Sequence, residues 1–299
     1  MDAPIELLHG VTEATVTIAA RIPGDHPSAA VLGTGRFGTG SVVSDDGLIL
    51  TVNYVVLGAE SVLVVDAAGN QHQATIAAQD FISGVSLLRI DADGLTALPP
   101  GDSRDLEPGD AVFMVSGIGN GERRATTGVV ATMERFDAYW EYRLDRAIWS
   151  TATNPGLGGG PLCDVRGRLV GVVSLNLGNL SRASLAIPAE NFYDYAEEFL
   201  KNGRRVSRAR RAWVGMFCHE LPDRTIVAGL IPGAPGALSG LQPGDVLMNV
   251  GGRLIGDRSE LYEMIWEHEP GDTLELTVYR QQKAATVSVT LGDAEDFFL

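Results

Sequence analysis

From about Thr12 to Pro188 the chain sets short β-branched runs between Gly, Asp and Asn: ATVTIAA, GSVVS, LILTV, SVLVVD, HQATIAA, VSLLRI, AVFMVS, TTGVVATM and RLVGVVSL. Runs of this length predict strands, and many short strands broken by turns predict an all-β sandwich or a pair of barrels. SDDGLIL, from Ser44 to Leu50, predicts a hairpin, because Asp-Gly supplies the positive φ angles of a tight turn. The period then changes. In AENFYDYAEEFLKNG, Phe192, Tyr195, Phe199 and Leu200 recur at helical spacing, and Gly203 predicts the C-terminal stop of a single helix. Beyond Trp213 the runs WVGMFC, TIVAGL, DVLMNV and TLELTVYR predict strands again, interrupted by helices over Ala234 to Ser239 and Ser259 to Glu267. The patterning divides the chain into a β domain over 1–200, a linker over 201–211 and a small mixed α/β domain over 212–299.

Composition narrows the function classes. The 299 residues are long for one core, and no apolar run approaches the roughly 18 residues that span a bilayer, so no membrane span is expected. A formal charge of −15 argues against general binding to nucleic acid or anionic membranes. The exception is KNGRRVSRARR, Lys201 to Arg211, a basic island that keeps a linker solvated or docks it on an acidic neighbour. The opening MDAPIELLHGVTEA has neither the basic start nor the apolar segment of an export signal, which implies a cytoplasmic protein if the chain is full length and a cell-envelope protein if a leader was trimmed. Cys163 and Cys218 are too few and too far apart for a disulfide framework or metal-ligand spacing, so neither metal nor cofactor is expected.

Three segments carry the candidate chemistry. GTGSVVSDDGLILTVNYVVLGAE, DFISGVSLLRI and NPGLGGGPLCDVRGRLVGVVSL resemble, in chain order, the histidine, aspartate and serine loops of the HtrA family of trypsin-fold serine proteases. By that resemblance Tyr54 stands at the catalytic histidine, Gly84 at the aspartate and Gly158 at the serine, with Leu157 replacing an asparagine. The similarity continues through TTGVVATMERF and LAIPAENF. In the second domain GLQPGDVLMNVGGRLI, Gly240 to Ile255, resembles the marker of that family's PDZ domains. The resemblance implies a mainly β protein, a trypsin-like double β-barrel followed by a small α/β PDZ domain.

The substitutions set the functional expectation. Gly158 has no side chain to attack with, Tyr54 with a phenol pKa of about 10 is a poor base, and Gly84 orients nothing. The chain is therefore expected not to be an enzyme but a pseudoprotease that binds extended peptides or protein C-termini as a scaffold or regulator. Gly156, Leu157 and Gly158 are expected to keep the oxyanion loop as a remnant. The alternative is an active serine-type endopeptidase with relocated catalytic residues, for which Ser150, Thr151, Ser174 and Cys163 are the candidates near the cleft. PDZ domains take an extended peptide as an added strand and hold its carboxylate in backbone N–H groups. The resemblance assigns that loop to Trp213, Val214, Gly215 and Met216, with Leu261 and Ile265 flooring the pocket for the last side chain. Expected partners are polypeptide C-termini or extended peptides, with an active paralogue protease and further copies of the chain as additional candidates, and no nucleic acid. The tail EDFFL is expected to be a strand end, disordered, or a ligand for a neighbouring PDZ groove.

Overall fold

A computed structural model describes residues 3–118, 122–176 and 183–299. The chain forms two compact units, one of residues 1–24, 32–136 and 144–207, the other of residues 25–31, 137–143 and 208–299.

The first unit holds two closed barrels. Strands β1 (Thr15–Arg21), β2 (Gly35–Ser44), β3 (Leu48–Val52), β4 (Ser61–Val65), β5 (Gln71–Gln79) and β6 (Val85–Ile90) close in the order β1-β2-β3-β6-β5-β4. Strands β7 (Ala111–Gly117), β8 (Arg123–Asp137), β9 (Arg143–Ser150), β10 (Pro161–Asp164), β11 (Leu169–Asn176) and β12 (Ser184–Pro188) close in the order β10-β11-β12-β9-β8-β7. Closure leaves no unpaired strand edge in either barrel. Ile18, Ile49, Leu50, Leu87 and Leu88 are fully buried in the first barrel, and Met114, Ile148 and Leu162 in the second. Each of the nine strand runs read from the sequence falls on one of these strands. Three strands match none of the nine runs: β10 and β12 are only four and five residues long, and in β9 Arg143, Asp145 and Arg146 interrupt the apolar positions.

Helices α1 (Ala3–Glu13) and α3 (Asn53–Val56) accompany the barrels, α3 following β3 directly, while α2 (Ala29–Leu32) lies mostly in the segment of the second unit. The single helix expected after Pro188 is two, α4 (Glu190–Tyr193) and α5 (Ala196–Asn202). At the break Tyr195 leaves helical geometry with φ −128°, while Arg104 holds the Asp194 carboxylate at 3.0 Å. Gly203, at φ 70°, ends α5 as the sequence implies.

The second unit is built on one sheet. Strands β13 (Met216–Leu221), β14 (Arg224–Leu230), β15 (Val246–Val250), β17 (Thr273–Arg280) and β18 (Lys283–Thr290) lie in the order β13-β14-β15-β17-β18, with β16 (Arg253–Leu254) on β15. Helices α6 (Pro235–Leu238), α7 (Arg258–Trp266) and α8 (Ala294–Phe298) complete it. Strand β17 alternates cleanly, burying Leu274, Leu276 and Val278 against Leu261, Tyr262 and Ile265 of α7 in one core. Asp257 caps α7 by accepting the Glu260 N–H at 2.8 Å. β13 is an edge strand, and this decides what the unit can bind.

Two expectations change here. The tail EDFFL is neither strand nor free end: Asp293 accepts the N–H groups of Glu295 and Asp296 and starts α8, which packs Phe297 and Phe298 at a tilt against Trp213, at 5.0 and 5.7 Å between ring centroids. The basic island is also partly tied down. Arg205 packs over the Tyr195 ring, Arg210 pairs with Asp293 and Asp296 at 2.8 and 2.6 Å, and Arg211 lies over Trp266.

The hairpin read from SDDGLIL is present, with Ser44 opposite Leu48 and Gly47 at φ 92°. A Cβ at Gly47 would lie 2.3 Å from the Ile90 carbonyl oxygen. Gly47→Ala should therefore lose on the order of 2 kcal/mol through strain and collision together, read as a lower denaturation midpoint; an unchanged midpoint would contradict this account of the turn.

Candidate functional site

The three loop positions singled out in the sequence converge at the seam of the two barrels. Helix α3 places Tyr54 beside the glycine-rich loop, and its hydroxyl donates to the Ser174 carbonyl oxygen of β11 at 2.7 Å. A Cβ built on Gly158 would lie 2.1 Å from the Tyr54 hydroxyl oxygen and 2.9 Å from the Ser174 oxygen, so the phenol occupies the room a serine would need. Gly84 is joined to the same corner, its carbonyl accepting the Asn53 N–H at 2.7 Å. Burial pushes the Tyr54 phenol well above its ordinary range, so it stays protonated and acts here as a hydrogen-bond donor.

The loop that follows is satisfied internally. The Gly156 N–H donates to Asn154 Oδ1 at 3.1 Å and the Leu157 N–H to the Gly117 oxygen at 2.9 Å, while the Leu157 and Gly158 carbonyls accept from Thr39. An N–H committed to a protein oxygen is not offered to a substrate oxyanion in this conformation. Of the other candidates considered from sequence, two hydroxyls are hydrogen-bonded and the thiol is buried, while Ser174 contributes its carbonyl oxygen to Tyr54. Ser150 Oγ accepts the Ala152 N–H, Thr151 Oγ1 accepts the Val129 N–H, and Cys163 is fully buried with its thiol pushed up by desolvation. Among the histidines, His72 Nε2 lies 3.0 Å from Asp66 Oδ2, and His26 Nδ1 lies 2.8 Å from the Oγ of Ser28, a residue only 2% exposed. Among the described residues no group of three or more His, Cys, Asp or Glu could hold a metal ion.

A second constellation lies in the unit built on β13. The loop before that strand turns through Gly215 at φ 80°, and a Cβ there would meet Ala234 at 2.3 Å. This turn aims three consecutive N–H groups at one point, and they meet the carboxylate of Glu141. Val214 donates to Oε1 at 2.9 Å, and Gly215 and Met216 donate to Oε2 at 2.6 and 2.9 Å. Trp213 does not join them: its N–H pairs with the Gly292 carbonyl, and its ring packs on α8. Leu261 and Ile265 are fully buried in the core beneath. Glu141 could not be found by sequence motif, since nothing in DAYWEYR, residues 137–143, distinguishes it from a solvated acid on a turn.

Burial raises the Glu141 pKa from 4.5 to about 7, against the opposing pull of the N–H groups of Met216, Val214 and Gly215. The ionisable groups packed against it from β13 and α7 are Cys218 and Tyr262, both pushed up by burial, with the Arg258 guanidinium close to both.

Two closed six-stranded barrels with three converging loops, followed by a sheet with an N–H cradle at its edge strand, are the architecture of a trypsin-like double barrel followed by a PDZ-like domain. Residues 38–172 match the family described as a trypsin-like peptidase domain, and residues 203–291 match the PDZ domain. The chain is 33% identical over 278 residues to the probable periplasmic serine endoprotease DegP-like of Halomonas elongata, covering 87% of this chain and 57% of that protein. It is 30% identical over 270 residues to the protein of the same description from Hahella chejuensis, covering 85% and 56%. The chain thus spans a little over half the length of these curated relatives. Among solved structures, the serine endoprotease from Yersinia pestis aligns with a TM-score of 0.58 at 23% identity, covering 98% of both chains, and the HtrA-type protease AlgW with decapeptide with a TM-score of 0.57 at 20% identity, covering 98% and 99%. These likenesses establish the fold.

The relatives' names also overturn one expectation. Tyr54, Gly84 and Gly158 led to the reading that the chain is not an enzyme, whereas the proteins it matches over most of its length are named serine endoproteases.

Two measurements check the site. Gly158→Ser alone should lose on the order of 2 kcal/mol by overpacking against Tyr54, and in a Tyr54→Ala background the same change should cost far less; additive losses in the double-mutant cycle would contradict the contact. For Glu141, seating raises the pKa, so seating is accompanied by proton uptake: it is strongest below 4.5 and weakens as pH rises through about 7. A carboxyl NMR titration of Glu141 should show its midpoint near 7, and a midpoint near 4.5 would show the carboxylate outside the cradle.

Proposed function

We propose that this HtrA-like chain works on polypeptides, capturing a terminal carboxylate at the loop Val214–Met216 and an extended segment along β13, with serine-type endopeptidase chemistry of the kind its relatives are named for. The observation that carries the recognition step is the set of three N–H groups converging on one carboxylate. A carboxylate accepting several backbone N–H bonds is the chemistry of chain-end capture, and an edge strand beside it supplies the ladder for an added peptide strand. One similar solved structure is described as carrying a decapeptide, which supports peptide as the ligand class. The working layout is a trypsin-like domain over 1–200, a basic linker over 201–211 and a PDZ domain over 212–299.

Hydrolysis in this chain has to run through a group other than residue 158, because glycine carries no nucleophile and the Tyr54 hydroxyl fills its place. The reading is tested by incubating purified protein with casein and a fluorophosphonate probe, then locating the probe by mass spectrometry. Cleavage with the probe on a serine or threonine is the expected result. Casein left intact would overturn the endopeptidase reading, and a failure to bind any peptide with a free carboxylate would overturn the capture reading separately.

A further inference from the structure

The anion in the cradle is not a chain end. Glu141 lies in the connection between β8 and β9, and residues 137–143 belong to the same compact unit as β13 and α7. Three further contacts seat this segment as a peptide would be seated. The free edge of β13 gives the Cys218 N–H to the Tyr139 carbonyl at 2.6 Å, the main-chain bond an added strand would make. From α7, the Tyr262 hydroxyl accepts the Glu141 N–H at 2.9 Å and donates to the Ala138 carbonyl at 2.8 Å, closing on both sides of Tyr139 and Trp140. Arg143, with 7% of its side chain exposed, anchors the exit of the segment through the Glu263 carboxylate at 2.9 Å and the Ser259 hydroxyl at 2.7 Å.

Glu141 itself has φ 48°, a left-handed conformation that a residue with a side chain seldom adopts. That conformation solves a geometrical problem. An internal segment has no terminal carboxylate, and turning the backbone at Glu141 lets the chain continue into β9 while the side chain delivers two acceptor oxygens to the three donors.

We infer that residues 137–143 are an internal ligand of the peptide groove, with the Glu141 side chain standing in for a terminal carboxylate, so that an external polypeptide C-terminus binds only by displacing it. The inference rests on the carboxylate-capture reading above. Both Glu141 oxygens are engaged and all three N–H groups are used, so an incoming carboxylate cannot share the cradle. Because the occupant is tethered, it competes at a fixed effective concentration, and the affinity for an external peptide is reduced by the fraction of molecules whose groove is open. The matching external ligand is a peptide with a free carboxylate and an extended backbone; a C-terminal amide lacks the second acceptor oxygen.

The test uses the full chain as wild type, Glu141→Ala and Glu141→Gln, with two readouts. The first is hydrogen exchange at the amides of Val214, Gly215, Met216 and Cys218 without added peptide. These should be protected in wild type and exchange faster in Glu141→Ala. The second is fluorescence anisotropy with a labelled hexapeptide library varied at the terminal residue, in free-carboxylate and amidated forms. Removing the occupant should tighten binding of free-carboxylate peptides by about tenfold or more, with Glu141→Gln giving a smaller gain in the same direction because an amide keeps one acceptor oxygen, and amidated peptides should gain nothing. Equal exchange and equal affinity in wild type and Glu141→Ala would overturn the internal ligand while leaving peptide capture intact. Faster exchange in Glu141→Ala with no peptide bound by any variant would instead overturn competition together with the capture reading.

Discussion

Three consecutive backbone N–H groups pointed at one spot require hydrogen-bond acceptors there, because each buried donor left without one costs roughly 1–3 kcal/mol. Much of the second unit serves to hold that arrangement. Val214 and Met216 turn their side chains into the core, where they are 0% and 1% exposed, and so their N–H groups face outward. The left-handed turn at Gly215 brings the third donor into line. Behind the loop, Trp213 is fixed by paired hydrogen bonds with Gly292 and by the two phenylalanines of α8. The acidic Glu141 answers this demand, and residues 137–143 follow it into the groove.

The barrels obey a different constraint. Their strands are closed on themselves, so function is confined to the loops between strands, and the three loops that converge do so because strand order brings α3, the turn before β6 and the glycine-rich segment before β10 to one seam. Close packing at that seam leaves little slack. The Tyr54 hydroxyl bridges to β11 of the second barrel, and the Thr39 hydroxyl bonds Leu157 of the loop, so side chains of one barrel terminate on backbone of the other.

Much of this was legible in the sequence because periodicity and turn chemistry are local. TLELTVYR alternates and is β17; SDDG turns and is the β2–β3 hairpin; Gly203 stops a helix. What escaped reading depends on partners far along the chain. The break between α4 and α5 involves Arg104, a residue no helical period can announce. The strand β9 hides behind charges, one of which, Arg143, is buried against Asp137 and Glu263. Glu141 is the extreme case. An acid on a hairpin connection reads as solvated, and only the fold brings it to donors more than seventy positions away. The judgement against enzymatic activity erred for the opposite reason, since it gave three legible positions more weight than the similarity of the remaining chain.

The contact between Tyr54 and the space over Gly158 has a consequence for how such sequences can change. Because the phenol fills the volume above the glycine, a serine is sterically admissible at 158 only after residue 54 has become smaller or has moved. The two positions are thereby bound to an order of substitution: residue 54 has to shrink before a serine enters at 158, and in the reverse direction the serine has to leave before a tyrosine enters at 54. Among descendants of a common ancestor the identities at 54 and 158 should therefore travel as a pair, although 104 positions of chain separate them.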